Sequence, residues 1–178
     1  MTLKERFNSD IVPALKKELG LKNVMAVPRV SYVTVAVGLS PGLKDPKFSE
    51  TAESVLQRIT GQKPVKTKAK KSISNFKIRQ GMVVGMRVTL RGPRMWHFLD
   101  KLLNVTFPRT RDFRGLSAKL VDATGNVTVG FKEFLPFPEI KPDEVERIHG
   151  LQVTITTTAG RRDVGIALLR RLGFPFKD

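Results

Sequence analysis

The spacing of apolar residues changes along the chain between a period near four and a period of two, so helices and strands are both expected. Leu3, Phe7, Ile11, Leu15 and Leu19 recur in steps of four, a helical stripe that Gly20 can end. Pro13 interrupts it and predicts a kink or two shorter helical pieces. Arg29 to Val37 is largely β-branched, with Val30, Tyr32, Thr34 and Ala36 on one face and Ser31, Val33, Val35 and Val37 on the other, which reads as a central strand. The stretch from Gly38 to Pro46, rich in Gly and Pro, is a loop. Phe48, Ala52, Val55, Leu56 and Ile59 then return to helical spacing up to Gly61.

Two further strands are expected over Val65 to Ala69 and Met82 to Leu90, with Lys70 to Gly81 between them. In the second, Val84, Met86, Val88 and Leu90 share one side while Gly85, Arg87, Thr89 and Arg91 share the other, so one face is core and the other basic. Pro93 suits a first helical turn, and Trp96, Leu99, Leu102, Leu103 and Val105 carry the stripe to Pro108. Pro108 to Gly115 has no apolar period and reads as a basic loop holding Arg109, Arg111 and Arg114. Lys119 to Val121 and Val127 to Phe131 flank a turn at Asp122 to Asn126, a hairpin pattern with Gly125 free to take positive φ. Phe131 to Pro142 reads as an irregular packed segment and Pro142 to His149 as a short acidic helix ending at Gly150. A last strand at Leu151, Val153 and Ile155 precedes a helix from about Asp163 to Leu172, with Leu168, Leu169 and Leu172 facing the sheet. The expected class is α+β: a two-layer sandwich with a mixed, mainly antiparallel sheet, helices on one face and the opposite face free, in a single domain over residues 1 to 178. No internal repeat or low-complexity tract is present.

Charge narrows the function. The 178 residues hold 32 Lys and Arg against 16 Asp and Glu, a formal net charge of +16, and the sequence pI is near 10.6. A compact chain so charged repels itself, which implies a polyanionic partner: RNA, DNA or an anionic membrane. No apolar run approaches the roughly 20 residues of a membrane span, and the start Met1-Thr-Leu-Lys-Glu-Arg-Phe lacks a secretory pattern, so a cytoplasmic location and no membrane partner are expected. Between Glu53 and Asp100 there is no acidic residue, whereas Arg58, Lys63, Lys66, Lys68, Lys70, Lys71, Lys77, Arg79, Arg87, Arg91 and Arg94 are all cationic. Gln62, Thr67, Ser72, Ser74, Asn75, Phe76 and Thr89 are interspersed among them. Cations neutralise phosphates while amides, hydroxyls and rings fix register, so this stretch reads as a nucleic-acid surface.

Catalysis finds little support. Cysteine is absent, which removes thiolate nucleophiles, disulfides and zinc ribbons. The histidines are His97, read as a boundary residue beside Trp96, and His149, read as a cation at a helix end before Gly150. Gly81-Met-Val-Val-Gly85 lacks the Lys-Ser/Thr ending of a phosphate loop. Glu133, Glu139, Asp143, Glu144 and Glu146 fit no metal loop and read as a solvated acidic face. No catalytic residue, metal, cofactor or small-molecule substrate is expected. The rival classes are an RNA-processing enzyme or helper on the same basic face, and a DNA-binding or chromosomal protein.

The residues also carry a resemblance. Gly61-Gln-Lys-Pro-Val-Lys-Thr-Lys-Ala-Lys-Lys-Ser-Ile-Ser-Asn-Phe-Lys-Ile-Arg-Gln-Gly81 and Val88-Thr-Leu-Arg-Gly-Pro-Arg-Met-Trp96 closely resemble the ribosomal protein L5 family of the bacterial large subunit. Pro108-Arg-Thr-Arg-Asp-Phe-Arg-Gly-Leu-Ser117, Phe137-Pro-Glu-Ile140, Thr154-Ile-Thr-Thr-Thr158 and the ending Gly173-Phe-Pro-Phe176 agree in order, from Met25 or earlier to the C-terminus. The resemblance implies a structural constituent whose concave sheet binds 5S rRNA and docks it to the large rRNA in the central protuberance, beside neighbouring large-subunit proteins, with a loop that reaches the peptidyl-site tRNA. By motif match it places Gln62, Lys63, Thr67, Lys68, Lys70, Lys71, Thr89 and Arg91 toward rRNA, joined by Arg109, Arg111 and Arg114. Ser74, Asn75, Phe76, Lys77, Ile78, Arg79, Gln80 and Gly81 would form the tRNA-facing loop. One departure stands out: family members commonly read Asn-Met-Gly where this chain reads Ala36-Val37-Gly38, so the RNA contact of that Asn is absent or supplied by a neighbour. The loop from Leu39 to Lys44 also lacks the acidic residue often found there.

Overall fold

The computed structural model describes residues 1–40, 46–141 and 148–177. Its elements are α1 (Leu3–Arg6), a π-helical turn (Phe7–Ile11), α2 (Val12–Glu18), a 3-10 turn (Val24–Ala26), β1 (Val30–Gly38), α3 (Pro46–Thr60), β2 (Val65–Lys68) and β3 (Val83–Leu90). There follow α4 (Gly92–Lys101), a second π turn (Leu102–Thr106), α5 (Phe107–Arg109), a 3-10 turn (Ala118–Leu120), β4 (Val127–Phe131), β5 (Leu151–Thr157) and α6 (Arg162–Leu172). The strands form one antiparallel sheet in the order β2-β3-β1-β5-β4. The architecture is α+β, a two-layer sandwich of sheet and helices.

The alternation read from the sequence decides which side of each strand is covered. In β1, Val33, Val35 and Val37 are buried while Tyr32, Thr34 and Ala36 are half-exposed. In β3, Met86, Val88 and Leu90 are buried and Arg87 is exposed. In β5, Leu151, Val153 and Ile155 are buried and Gln152 is exposed.

The chain divides into two compact units built from interleaved segments. One comprises Met1–Val33, Leu90–Val129 and Thr154–Asp178; the other comprises Thr34–Thr89 and Gly130–Val153. In the first, Leu3, Phe7, Ile11 and Leu15 form the expected stripe, and they are buried with Met95, Phe98, Leu99 and Leu102 of α4 and its π turn and with Leu168, Leu169 and Leu172 of α6. In the second, α3 buries Ala52, Leu56 and Ile59. The irregular segment after β4 buries Phe134, Phe137 and Ile140, as its composition implied.

Prolines shape two of the helical segments of the first unit in one way. An interior proline removes a hydrogen bond and its ring collides with the carbonyl four residues back. Here the helix widens instead of breaking: Val12 N–H donates to Phe7 O ahead of Pro13, and Phe107 N–H donates to Leu102 O ahead of Pro108. The expected kink or break at Pro13 is therefore a π turn.

Two expectations need correction. The first arm of the hairpin at Lys119 to Val121 is not a strand, because Ser117 caps a 3-10 turn by accepting from Lys119 N–H, and a single bridge joins Val121 to Val127. Gly125 does take positive φ, at 86°. His149 is not a helix-end cation: it is 7% exposed and lies between Phe48 and Phe134, with ring centroids 5.7 and 4.6 Å away. Its Nδ1 lies 3.2 Å from Gly150 O, so Nδ1 donates, and buried Nε2 has no partner among the described residues. Burial lowers its pKa, only partly opposed by the Gly150 carbonyl, which favours neutral imidazole. The acidic helix expected over 142–149 falls mainly outside the described residues, as do Asp143, Glu144 and Glu146 of the acidic cluster; residues 41–45 of the loop after β1 do too.

Candidate nucleic-acid interface

The second unit presents a sheet face made of small and polar side chains. Register pairs Val65 with Arg87 and Thr67 with Gly85, so these residues share a face, and Lys66 opposite Met86 belongs to the covered side. Lys66 confirms that assignment by pairing with Glu53 of α3, Nζ to Oε2 2.9 Å. Glycine suits position 85: a Cβ there would lie 3.0 Å from Thr67 Oγ1 and 3.0 Å from Val37 O, a tight fit that the neighbours would have to relax.

A depression of about 500 Å³ opens on this face. Ala36, Gly38 and Gly130 make its floor shallow, and Thr67, Arg87 and Gln152 supply polar groups around it. Small residues let a bulky partner approach the backbone closely. Among the expected residues, Thr67 and Thr89 lie half-buried on the strands; Gln62 is half-buried in the turn before β2; Lys63, Lys68, Lys70 and Lys71 are exposed. The register slips between Thr67 and Lys68, a β-bulge that increases local twist where the strand leaves the sheet. Arg87 and Gln152 were not among the expected binding residues. Strand alternation already set Arg87 on this side, whereas nothing local marks Gln152, which the fold alone brings there.

The segment from Lys70 to Gly81 is an ordered hairpin. Ala69 N–H donates to Met82 O at 2.8 Å and Gly81 N–H to Ala69 O at 3.0 Å, while Gln80 N–H donates to Ser72 Oγ at 2.9 Å. Ile73 and Ile78 exchange two backbone bonds of 2.9 and 3.1 Å, and Lys77 N–H closes the tip on Ser74 O at 3.0 Å. Two positive φ angles permit the turn, 55° at Lys77 and 87° at Gly81. The tip presents Ser74, Asn75, Phe76 and Lys77 outward, with Phe76 68% exposed. Arg79 and Gln80 are exposed and Ile78 is half-buried. An aromatic ring held out so far adds little burial to the fold.

The remaining expected residues belong to the first unit. Arg91 sits 4.6 Å over the ring of Tyr32, a cation–π pair that orients its guanidinium. Arg109 is exposed at the end of α5, which takes up the first residues of the expected basic loop, and Arg111 and Arg114 are exposed on the loop that follows. That loop is anchored by Phe113 stacked on Phe107 at 5.0 Å, and by Leu116 N–H to Pro175 O and Lys177 N–H to Leu116 O at 2.7 and 2.8 Å. Among the described residues, no group of three or more His, Cys, Asp or Glu is placed to hold a metal ion, and no helix is long and apolar enough to cross a membrane.

Two-layer architecture, exposed cations and an ordered hairpin define a basic α+β protein with an open sheet face. The sequence model for ribosomal protein L5 matches residues 23–79, and the model for the C-terminus of the same ribosomal family matches residues 83–176. The chain belongs to the ribosomal protein L5 family. It is similar to the large ribosomal subunit protein uL5 of Roseiflexus sp. (strain RS-1), 49% identical over 176 residues that cover 99% of this chain and 98% of that protein. The uL5 of Natranaerobius thermophilus is 50% identical over 174 residues, 98% and 97% of the two chains. That of Thermobifida fusca is 51% identical over 176 residues, 99% and 92%. As a member of this family the chain is a structural, non-enzymatic constituent of the large ribosomal subunit, bound to the ribosome in the cytoplasm.

Proposed function

We propose that this chain binds 5S rRNA, helps attach it to the large rRNA in the central protuberance, and touches the peptidyl-site tRNA with its hairpin. In this reading residues 1 to 178 act as one RNA-binding domain, since β1 contributes to both units. The observation that carries it is the open face of the second unit, lined by Gly38, Gly130, Thr67, Arg87 and Gln152, in the same unit as exposed Lys63, Lys68, Lys70 and Lys71, which have no carboxylate partner among the described residues. Phosphates are neutralised by these lysines and by Arg87, with Arg91, Arg109, Arg111 and Arg114 contributing from the first unit. Gln62, Thr67 and Thr89 fix register through directed hydrogen bonds. Ser74, Asn75, Phe76, Lys77, Ile78, Arg79, Gln80 and Gly81 face tRNA, where Phe76 packs on an exposed base or sugar and Lys77 and Arg79 meet phosphates. Binding requires no bond chemistry.

Filter retention of labelled 5S rRNA across a salt series tests this. Neutralising about six phosphates gives log affinity against log salt a slope of roughly −4 to −5; a flat response, or stronger retention of duplex DNA than of 5S rRNA, refutes the assignment. The hairpin is tested separately. Lys77→Ala with Arg79→Ala leaves 5S rRNA binding largely intact and weakens peptidyl-site tRNA retention, and equal loss of both would show the loop wrongly assigned.

A further inference from the structure

A second depression, of about 470 Å³, lies within the first unit, between α1 with its π turn, the start of β1, the turn into α4, and Thr158 beyond β5. No residue assigned above to rRNA or tRNA lines it. One wall is Trp96 of α4, the single tryptophan of the chain. Its ring is backed by Phe7 at 5.2 Å with a 40° tilt, and Phe7 is itself only 6% exposed. A flat ring already held in place loses little side-chain entropy on binding. Among the described residues the Trp96 side chain makes no hydrogen bond, so its indole N–H is free to donate.

Two exposed cations, Lys4 and Arg29, also line the depression, and neither pairs with a carboxylate among the described residues. Arg29 is fixed through its backbone, whose N–H donates to Thr158 Oγ1 at 3.0 Å, leaving the guanidinium available. Asn8 and Ser31 add polar groups, and no acidic residue lines the site. Phe7 and Asn8 belong to the π turn, a geometry that frequently coincides with binding sites.

We propose that this depression is a separate RNA site that takes an unstacked nucleotide of single-stranded RNA. The base lies against the Trp96 indole, Lys4 and Arg29 hold the flanking phosphates, and Asn8 and Ser31 bond the base edge or 2′-hydroxyl. A carboxylate-bearing peptide would use the cations and leave the ring face empty, and a wholly apolar ligand would leave the cations empty; a nucleotide satisfies both. Since every base has a π-face, the site tolerates sequence.

The lone tryptophan makes the test direct. The full chain is titrated with hexa-adenylate and with hexa-uridylate at low salt while tryptophan emission is followed. A saturable quench is expected with both, weaker as salt rises, and abolished in Lys4→Ala/Arg29→Ala, whose changes sit on exposed side chains. Trp96→Leu, read by filter retention, weakens oligonucleotide binding about fivefold or more. The proposal is overturned by an unchanged emission, by a quench that survives in the double variant, or by hexa-glutamate quenching as well as the oligonucleotides. Retention of 5S rRNA is read in parallel: its loss with the quench intact defeats the proposed function alone, and the reverse outcome defeats this site alone.

Discussion

Replacing Gly165 by alanine sets two opposed effects against each other, and the structure decides between them. Gly165 lies inside α6, and alanine in a helix is favoured over glycine by about 1 kcal/mol. Yet a Cβ at Gly165 would fall 2.5 Å from both Cα and O of Gly125. Neither partner can retreat. Gly125 sits at φ 86° in a turn pinned by Asp122 Oδ1, which accepts from Thr124 N–H at 2.9 Å and Asn126 N–H at 2.8 Å, and its carbonyl accepts from Thr157 Oγ1 at 2.9 Å. Overpacking of this kind costs about 1–3 kcal/mol, and more where backbone is the obstacle. Because backbone is the obstacle, the upper half of that range applies, about 2–3 kcal/mol, and subtracting the helix gain of about 1 kcal/mol leaves a net loss of about 1–2 kcal/mol. With a urea m-value of about 2 kcal/mol per molar, the unfolding midpoint drops by roughly 0.5–1 M. Gly130→Ala is the control: nothing lies within 4 Å of its Cβ position, and the change should stay within about 0.5 kcal/mol. A midpoint for Gly165→Ala equal to or above that of the native chain would refute the reasoning.

Other outcomes follow from the same geometry. Phe134 is fully buried, so Phe134→Ala should cost about 3–5 kcal/mol in urea unfolding. Burial depresses the pKa of folded His149 below its ordinary 6.5, so the unfolded chain takes up this proton first as pH falls. Its contribution to stability is therefore complete above about pH 6.5 and declines below it, with a slope of at most about 1.4 kcal/mol per pH unit; urea midpoints between pH 7 and 5 should fall more for the native chain than for His149→Phe, and parallel curves would contradict this. Ala36→Asn restores an amide beside the depression of the second unit and should tighten 5S rRNA retention roughly fivefold, the worth of about one hydrogen bond.

Where local chemistry sets the structure, the sequence was readable. Val33, Val35 and Val37 against Thr34 and Ala36, and Met86 and Val88 against Arg87, fix the covered side of β1 and β3, because strand period leaves no choice once one face must be apolar. The stripe at Ala52, Leu56 and Ile59 does the same for α3. Pro13 was visible but its consequence was not, since widening or breaking a helix depends on the packing that holds the two pieces together, here buried Phe7, Ile11 and Leu15. The β-like composition of Lys119 to Val121 lost to a Ser117 cap. His149 eludes a local reading because its aromatic neighbours, Phe48 and Phe134, are remote in sequence. The same non-locality hid Gln152 and the Trp96 depression, both assembled from segments that meet only after folding. Motif resemblance supplied what spacing could not, the ribosomal family to which the chain belongs.

Lysine acetylation of the full chain, mapped with and without saturating 5S rRNA, tests the central claim most directly. Lys63, Lys68, Lys70 and Lys71 should lose reactivity together, while Lys17 and Lys119, exposed elsewhere, stay reactive. Uniform shielding of all lysines, or shielding of Lys17 and Lys119 with the first four still reactive, would contradict the account.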